Sequence, residues 1–378
     1  MSSKSIVFME DIVPPPLPAP TTANRPCTSG DTRSMKIASP GSRRRPTALV
    51  ALLLAAVVGL TSCSAAAGGD GGEEQTTIRY QSYAGAVDPF LLADALGEFE
   101  GLTLERVGDI TGGPQALQAL VSKQTDIGGS AFYGAIAQLV GTGAPIKAVV
   151  PSYGSNEKSN SKIVALKDSG IKTAKDLIGK KVAVNTLGAN NEAVLDTWFD
   201  QEGLSEEEQD QITLVPLPPL NTPEALGKGQ VDAAVLSFIS YKATVAQYDV
   251  VELTSDVEVV GGPYTGGALT LRNEFIERNP ETSQQLVEGV ATAIEFIETH
   301  SPEELFDVYF PYLEEQGFAD YIPAIEANFP GTLGLEPKPA IADEDIQRWV
   351  DWLDSRGDID GGELDVSDVY TNEFNPNA

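Results

Sequence analysis

Residues 185–191 form a polar, glycine-containing stretch suited to binding a small molecule. The stretch follows a short apolar run, residues 180–184, and precedes a segment whose apolar residues recur at helical spacing. Gly188 permits a turn without side-chain strain, and Asn190 or Asn191 is predicted to cap the helix. A strand that leads through a loop into a helix directs several free N–H groups toward one point. This pattern predicts a ligand site at the carboxyl edge of a parallel sheet, although an ordinary turn between strand and helix has the same pattern.

Cysteine and histidine are almost absent, which excludes several kinds of chemistry. The two cysteines are Cys27 and Cys63, and His300 is the only histidine. Removal of the predicted leader leaves Cys63 alone, so we expect no disulfide, no cysteine nucleophile and no thiolate metal site. One histidine also argues against a histidine-based metal centre or a catalytic triad. The sequence therefore predicts a protein without cofactor or metal that is not an enzyme.

Residues 1–62 are predicted to be a leader that contains a signal peptide. The first 34 residues show no periodicity, and Met35 is an alternative start codon. Three arginines at 43–45 precede the apolar segment 48–60, which is short for a membrane span and typical of a secretory signal. Export through the general secretory route or the twin-arginine route stays open, because Pro46 stands where the twin-arginine motif has an aromatic residue.

The predicted anchor is Cys63. The sequence Leu60, Thr61, Ser62, Cys63 resembles the bacterial lipobox, in which the cysteine becomes the lipidated first residue of the mature chain. We expect an exported protein that its lipid holds at the outer face of the cell membrane or in the periplasm. Residues 63–76 are rich in alanine, glycine and acidic residues and are predicted to be a flexible tether.

The charge excludes nucleic acid as a partner. The whole chain has a formal net charge of −30, and residues 63–378 carry 18 basic against 52 acidic side chains, a net charge of −34. A surface of this charge repels nucleic acid and anionic lipid and favours solubility. About 300 residues follow the tether, which is enough for two lobes of ordinary domain size. Along these roughly 300 residues, predicted short strands alternate with predicted helices, as in parallel α/β units.

A resemblance to a known family covers most of residues 77–374. Segments 119–153 (ALVSKQTDIGG and onward), 173–203 (TAKDLIGKKVAVNTLGANNE and onward) and 224–243 (EALGKGQVDAAVLSFISYKA) resemble the solute-binding proteins of ABC importers for nitrate, sulfonate, taurine and thiamine-pyrimidine precursors. Segments 269–296 and 366–374 fit as well. The resemblance is distributed along the chain, so it does not depend on one short motif.

The resemblance implies an α/β fold of the periplasmic-binding-protein-like type II class. Each lobe is then a mostly parallel sheet flanked by helices, and two crossings join the lobes. We expect lobe 1 to comprise residues 77–166 and 265–378, and lobe 2 to comprise residues 167–264. The crossings are expected near 166–173 and 260–268, with the C-terminal helices packed onto lobe 1.

The resemblance also places the ligand at strand ends. The family's pocket segments correspond to 81–83, Ser130, 185–191 and Ser237, and three tyrosines are suited to cover a ring or an alkyl chain. The serines and Asn191 have an alternative role as helix caps, and the tyrosines as partly buried core. The predicted ligand-binding residues are Ser82, Tyr83, Ser130, Tyr153, Asn185, Thr186, Gly188, Ala189, Asn190, Asn191, Ser237 and Tyr264.

The ligand itself stays open at this stage. The predicted loops contain no arginine to bind a sulfonate, and the body is strongly acidic, so a neutral or cationic heterocycle such as a pyrimidine competes with a sulfonate-like, taurine-like or nitrate-like anion. The expected partners are an ABC permease and its ATPase, with the protein acting as a monomer. A sensor in place of the importer is the main alternative. A pyrimidine synthase or a porphobilinogen deaminase is disfavoured, because those enzymes need histidine or cysteine residues that this chain lacks.

Overall fold

The computed structural model describes residues 74–83, 85–110 and 112–378. The predicted signal peptide, the lipobox with Cys63 and most of the tether lie outside these residues. The strands are β1 (Thr77–Ser82), β2 (Thr103–Asp109), β3 (Ile127–Phe132), β4 (Ile146–Ser155), β5 (Lys162–Leu166), β6 (Lys181–Val184), β7 (Thr213–Pro216), β8 (Ala233–Leu236), β9 (Val250–Ser255) and β10 (Tyr264–Arg272).

Fourteen α-helices alternate with and follow these strands in the described part of the chain. They are α1 (Pro89–Ala95), α2 (Gly113–Val121), α3 (Tyr133–Gly141), α4 (Asn190–Gln201), α5 (Glu206–Gln209), α6 (Thr222–Gly227), α7 (Phe238–Val245), α8 (Asp256–Val260), α9 (Asn273–Arg278), α10 (Pro280–Thr299), α11 (Pro302–Glu315), α12 (Ile322–Asn328), α13 (Asp343–Ser355) and α14 (Val366–Val369). None of the helices in the described residues is long and apolar enough to cross a membrane.

Lobe 1 is built on strands β1 to β4 and β10. Strands β1 and β2 pair in parallel, and β10 lies between β3 and β4, antiparallel to both. The buried carboxylate of Asp126, just before β3, connects the two sheets. It accepts hydrogen bonds from Arg79 Nη2 of β1 at 2.8 Å and from Arg272 Nη2 of β10 at 3.0 Å. Such charge-assisted pairs satisfy an ion that is removed from water.

Lobe 2 is built on a single five-stranded sheet with the order β7-β6-β8-β5-β9. Strands β6, β7 and β8 pair in parallel, and β5 runs antiparallel to both of its neighbours, β8 and β9. Each lobe thus contains one strand of opposite direction, β10 or β5, and each is the first strand after the chain has crossed from the other lobe. Strands β10 and β5 begin at the cleft between the lobes and run away from it. The parallel strands of the βα units run toward the cleft and end there. The predicted two-lobe α/β fold with mostly parallel sheets is confirmed.

The first crossing lies earlier than the sequence suggested. Strand β5 belongs to the sheet of lobe 2, so the chain leaves lobe 1 within residues 156–161 and not within 166–173. The assignment of 162–166 to lobe 1 is therefore wrong, because an apolar run such as β5 fits a buried strand in either sheet. The return crossing comprises α8 and residues 261–263, so β10 from Tyr264 already belongs to lobe 1. The two crossings contact each other, since Asp256 N donates to Ser161 O at 3.1 Å.

The C-terminal helices pack mainly onto lobe 1, as expected, but one of them also contacts lobe 2. Helices α10 and α11 pack against α1, and α13 packs against α3. At the end of α13, Trp352 Nε1 donates to Asp196 Oδ2 of α4 at 3.2 Å, and Arg356 Nη1 lies 3.2 Å from Glu192 Oε1. Helix α13 therefore contacts both lobes.

Candidate functional site

A cavity of about 370 Å³ lies between the lobes, where the carboxyl ends of the parallel strands face one another. Lobe 1 contributes the segments after β1 and β2 and the C-terminal residues of β3 and β4, and lobe 2 contributes the segments after β6 and β8. Ligands in α/β folds bind outside the carboxyl ends of strands, because the following helices direct their N–H groups there. The volume is that of a pocket for a small molecule.

Eight of the twelve predicted ligand residues lie on the wall of this cavity. Contact with a ligand stays a prediction for each of them, and the structure brings them together around one space. They are Tyr83, Ser130, Tyr153, Asn185, Ala189, Asn190, Asn191 and Ser237.

The other four lie behind the wall or beside it. Ser82 is fully buried, and its Oγ lies 3.4 Å from Arg106 Nε, because alternation along β1 turns this side chain away from the cleft. Thr186 faces the opposite lobe, where a Cβ built on Gly112 would lie 2.8 Å from Thr186 Cγ2. Gly188 lies next to α2 and α3 with a φ of 68°, so its role is to form the turn. Tyr264 is buried beneath the cavity floor.

Tyr264 organises a buried polar network under the site. Asn190 Nδ2 donates to the Tyr264 hydroxyl at 2.9 Å, and this hydroxyl lies 3.3 Å from Asp256 Oδ2. The same carboxylate oxygen accepts from Ser155 Oγ at 2.6 Å, and Asp256 Oδ1 accepts from Val257 N at 2.7 Å. The network therefore links a cavity loop of lobe 2 to both crossings. Tyr264 thus contacts Asn190 and Asp256 and lies outside the cavity lining, and its role of covering a ligand stays a prediction.

Ser130 reaches the cavity through an irregularity in β3. The register with β10 shifts here, with Gly129 and Ser130 of β3 opposite the single residue Leu269 of β10, and Ser130 has a φ of 45°. A positive φ is unfavourable for a residue with a side chain, and bulges of this kind redirect a side chain next to binding sites. Ser130 lies within β3 and does not cap α3, whose N-cap is Phe132.

Helices α2, α4 and α7 are among those that begin at the cavity without a side-chain cap. The N-cap of α4 is Ala189, whose backbone is extended, and not Asn190 or Asn191 as predicted, and Glu192 in the first turn accepts from Gly188 N at 2.8 Å. The N-cap of α7 is Ser237, whose Oγ lies 2.9 Å from Ser240 Oγ and makes no capping bond. The N-cap of α2 is Gly112, which has no side chain. Partial positive charge at these three starts therefore faces the cavity.

Two carboxylates line the same cavity, and the described lining contains no lysine or arginine. Asp88 caps α1 by accepting from Phe90 N at 3.0 Å, and burial raises the pKa of Asp88 to about 6. Burial also raises the pKa of Asp256 above its ordinary value, against the opposing effect of the Ser155 hydroxyl. The site thus combines acidic side chains with positive helix starts.

Several lining residues were missed by the sequence analysis. Ser152 of β4 is 2% exposed, and its Oγ has no hydrogen-bond partner among the described residues. Asp88 and Asp256, which both line the cavity, were not among the predicted ligand residues. Ile325, together with a segment at 329–333 after α12, closes one side of the cavity. The sequence of residues 329–333 has no periodicity that predicts a position at the cavity. The packing of α12 determines that position.

The described residues offer no metal site, and the described lining of the cavity includes neither histidine nor cysteine. No group of histidine, cysteine, aspartate or glutamate among them has the geometry to hold a metal ion. His300 lies at the end of α10, stacked on Phe296 with ring centroids 4.0 Å apart, and does not line the cavity.

Solved structures share this fold. The alkanesulfonate-binding protein SsuA from Xanthomonas axonopodis pv. citri, bound to MOPS, is 21% identical with a TM-score of 0.57, covering 76% of this chain and 96% of its own. The periplasmic nitrate-binding protein NrtA from Synechocystis PCC 6803 is 14% identical with a TM-score of 0.59, covering 80% and 87%. The desulfurization enzyme DSZB is 14% identical with a TM-score of 0.54, covering 79% and 97%. At these sequence identities, the similarity shows a shared fold and nothing about the ligand or the activity.

No curated protein matches the chain in sequence. A family model does match, that of the NMT1/THI5 like proteins, over residues 87–304. This region begins just before Asp88 and includes both crossings, all of lobe 2 and helices α9 and α10. The chain therefore belongs to the NMT1/THI5-like family.

Proposed function

We propose that the protein is an extracytoplasmic solute-binding protein that captures a small molecule between its lobes and delivers it to an ABC import permease. The observation that carries this proposal is the 370 Å³ cavity, walled by both lobes and bounded on one side by the two crossings. Two adjacent crossings allow hinge closure of near-rigid lobes around a ligand. The names of the sulfonate-binding and nitrate-binding structures support the same role.

Anchoring at the membrane belongs to the same proposal. Lipidation of Cys63 would hold the binding protein beside its permease, and residues 63–73 would act as its tether. The predicted tether reached residue 76, but Glu74 and Gln75 are hydrogen-bonded to the start of α10. Replacing Cys63→Ser should abolish lipid labelling and release or stall the precursor. A serine variant with the lipid label and membrane attachment of the native chain would contradict the anchor.

Enzyme activity is the second candidate, because DSZB has the same fold. The described lining includes no cysteine and no histidine, whereas it includes serines, asparagines and tyrosines suited to reversible binding. We therefore propose binding without turnover. Incubation of the protein with a bound ligand, followed by mass spectrometry of the ligand, should return it unchanged.

Small-angle scattering and mass spectrometry of the native chain test the proposal together. Denaturing the purified protein should release a small molecule that mass spectrometry identifies and that binds again to the refolded protein. Adding this molecule should reduce the radius of gyration of the protein. A ligand-bound protein with an unchanged radius would contradict capture by closure. Genes for a permease and an ATPase beside this gene would support import, and a kinase gene there would favour the sensor alternative.

A further inference from the structure

We infer that the ligand is a zwitterion, with an anionic group directed at the starts of α2, α4 and α7 and an ammonium group directed at Asp88 and Asp256. This inference rests on the proposed function and specifies the chemistry of its ligand. It differs from a simple anion, which the lining does not fit, and from a simple cation, which the helix starts disfavour.

The anionic end follows from the uncapped starts of α2, α4 and α7. The starts of α2 and α4 are adjacent across the cleft, since a Cβ built on Gly112 would lie 2.8 Å from Thr186 Cγ2 in the loop before α4. The starts of α4 and α7 are neighbours because β6 and β8 pair side by side. Each helix start carries about half a positive charge, and free N–H groups there bind oxyanions. Together they can hold one anionic group without a lysine or an arginine.

The ammonium end follows from the acidic side chains of the same cavity. Asp88 and Asp256 both line it, and no basic side chain of the described lining offsets them. A purely anionic ligand would approach two carboxylates in a site partly removed from water, where like charges repel strongly. A protonated amine in the same place would gain attraction from both.

An unsatisfied buried hydroxyl gives an independent indication of a polar ligand. Ser152 Oγ is buried at the lobe 1 wall without a partner among the described residues, and Asp88, Ser130 and Ser152 share the small recess beneath that wall. Across the cavity, Asn185 Oδ1 is also buried without a partner there. Buried polar atoms are satisfied in functional proteins, and Asn185 Oδ1 can only accept. Asn185 Oδ1 thus lacks a donor, and Ser152 Oγ, which can donate or accept, lacks a partner of either kind, so the two atoms fit a ligand that carries both donors and acceptors.

Two series of probes with matched skeletons test the inference on the purified full chain. The first compares taurine, ethanesulfonate and ethylamine, and the second compares 4-(aminomethyl)benzoate, 4-methylbenzoate and 4-methylbenzylamine. Isothermal titration at pH 7.5 and low salt gives each Kd. In at least one series, the Kd of the zwitterion should be about tenfold or more lower than the Kd of the matched anion and that of the matched amine.

The Asp88→Asn variant identifies the ammonium contact. Asparagine is as good an N-cap as aspartate, so α1 keeps its cap and the variant should fold. Its affinity for the zwitterion should fall to about that of the matched anion, and its affinity for the anion should stay the same or rise. Asp168→Asn is the control, because Asp168 is an exposed acid of lobe 2 outside the cavity and its replacement should change neither Kd.

Each contrary result has a definite meaning. An anion or an amine that binds as tightly as its zwitterion overturns the inference and leaves capture of a small molecule intact. Failure of all six probes to bind also overturns it, and the proposed function is then judged separately by the compound that copurifies with the protein. A loss of zwitterion affinity in Asp168→Asn equal to that in Asp88→Asn would remove Asp88 from the contact.

Discussion

Asn190 at the start of α4 and Tyr264 at the start of β10 are joined by a 2.9 Å hydrogen bond from Asn190 Nδ2 to the tyrosine hydroxyl. The first residue lies in lobe 2 and the second in lobe 1, so this bond crosses between them. Through the same hydroxyl, Asn190 is connected to Asp256 at the second crossing. A ligand that contacts Asn190 is thus two hydrogen bonds away from the hinge.

Replacing Tyr264→Phe should weaken both stability and ligand binding. The change removes the hydroxyl but keeps the ring that packs near Trp349 with centroids 6.2 Å apart. Loss of a hydrogen bond to a buried carboxylate should lower the free energy of unfolding by roughly 1.5–3 kcal/mol, measured by urea denaturation. Ligand affinity of the folded protein should also fall, because Asn190 loses its partner.

Tyr370→Phe is the matched control for that experiment. Tyr370 donates to Asp343 Oδ1 at 2.8 Å on the exposed surface, so the same chemical change there removes a solvent-exposed bond far from the cavity lining. We expect little change in stability and none in affinity. Equal effects of the two substitutions would show that Tyr264 has no special role in the site.

Gly112 and Thr186 form a contact between the lobes that depends on the absence of a side chain. A Cβ at position 112 would lie 2.8 Å from Thr186 Cγ2, closer than carbon atoms normally approach. Gly112→Ala should therefore hold the lobes slightly apart and weaken ligand binding with little change in melting temperature. Small-angle scattering should show a larger ligand-bound radius than in the native protein.

A second substitution distinguishes this steric effect from a change in α2. Thr186→Ser removes the methyl carbon that would collide, so adding it to Gly112→Ala should restore affinity and compaction. Thr186→Ser alone should have little effect. If the double variant bound ligand no better than Gly112→Ala, a contact between these residues would not explain the loss.

The sequence predicted the fold well because its signals are local. Alternating apolar runs and helical periods identify α/β units, and loops after strands such as β6 and β8 are expected to meet at one edge. Membership of a strand in one lobe or the other is not local, which is why β5 was misplaced. The bulge at Ser130 and the packing of 329–333 likewise depend on distant partners. Asn190 and Tyr264 were both selected, but only the structure shows that one positions the other.

Ser130 offers a test that separates the hydroxyl from the backbone. Ser130→Ala keeps a Cβ at positive φ and loses the hydroxyl, so affinity should fall by about 2- to 13-fold, the worth of one hydrogen bond of roughly 0.5–1.5 kcal/mol. Ser130→Gly should lose the same affinity, yet gain about 1 kcal/mol of stability, because glycine adopts positive φ without strain. Titration calorimetry and urea denaturation on both variants give the two quantities. Equal stability of the two variants would mean that the positive φ stores no strain.

The raised pKa of Asp88 makes a prediction about stability and pH. Asp88 is surrounded by Tyr80, Tyr83 and Tyr309 and has a folded pKa of about 6, against an ordinary value near 3.8. Between these values the folded protein holds the proton more tightly than the unfolded chain does. This carboxyl group therefore makes the free energy of unfolding fall as pH rises from about 4 to 6.

Asp88→Asn should remove that contribution. Urea denaturation of the ligand-free protein at pH 4.5, 5, 6 and 7 should show a smaller decrease in the free energy of unfolding toward neutral pH than in the native protein. Part of the decrease should remain, because Asp196, whose pKa burial also raises to about 6, contributes with the same sign. The exposed control Asp168→Asn should follow the native curve. Parallel curves for Asp88→Asn and the native protein would show that Asp88 ionises alike in the folded and unfolded chain, and the carboxylate would then face water and not a closed cavity.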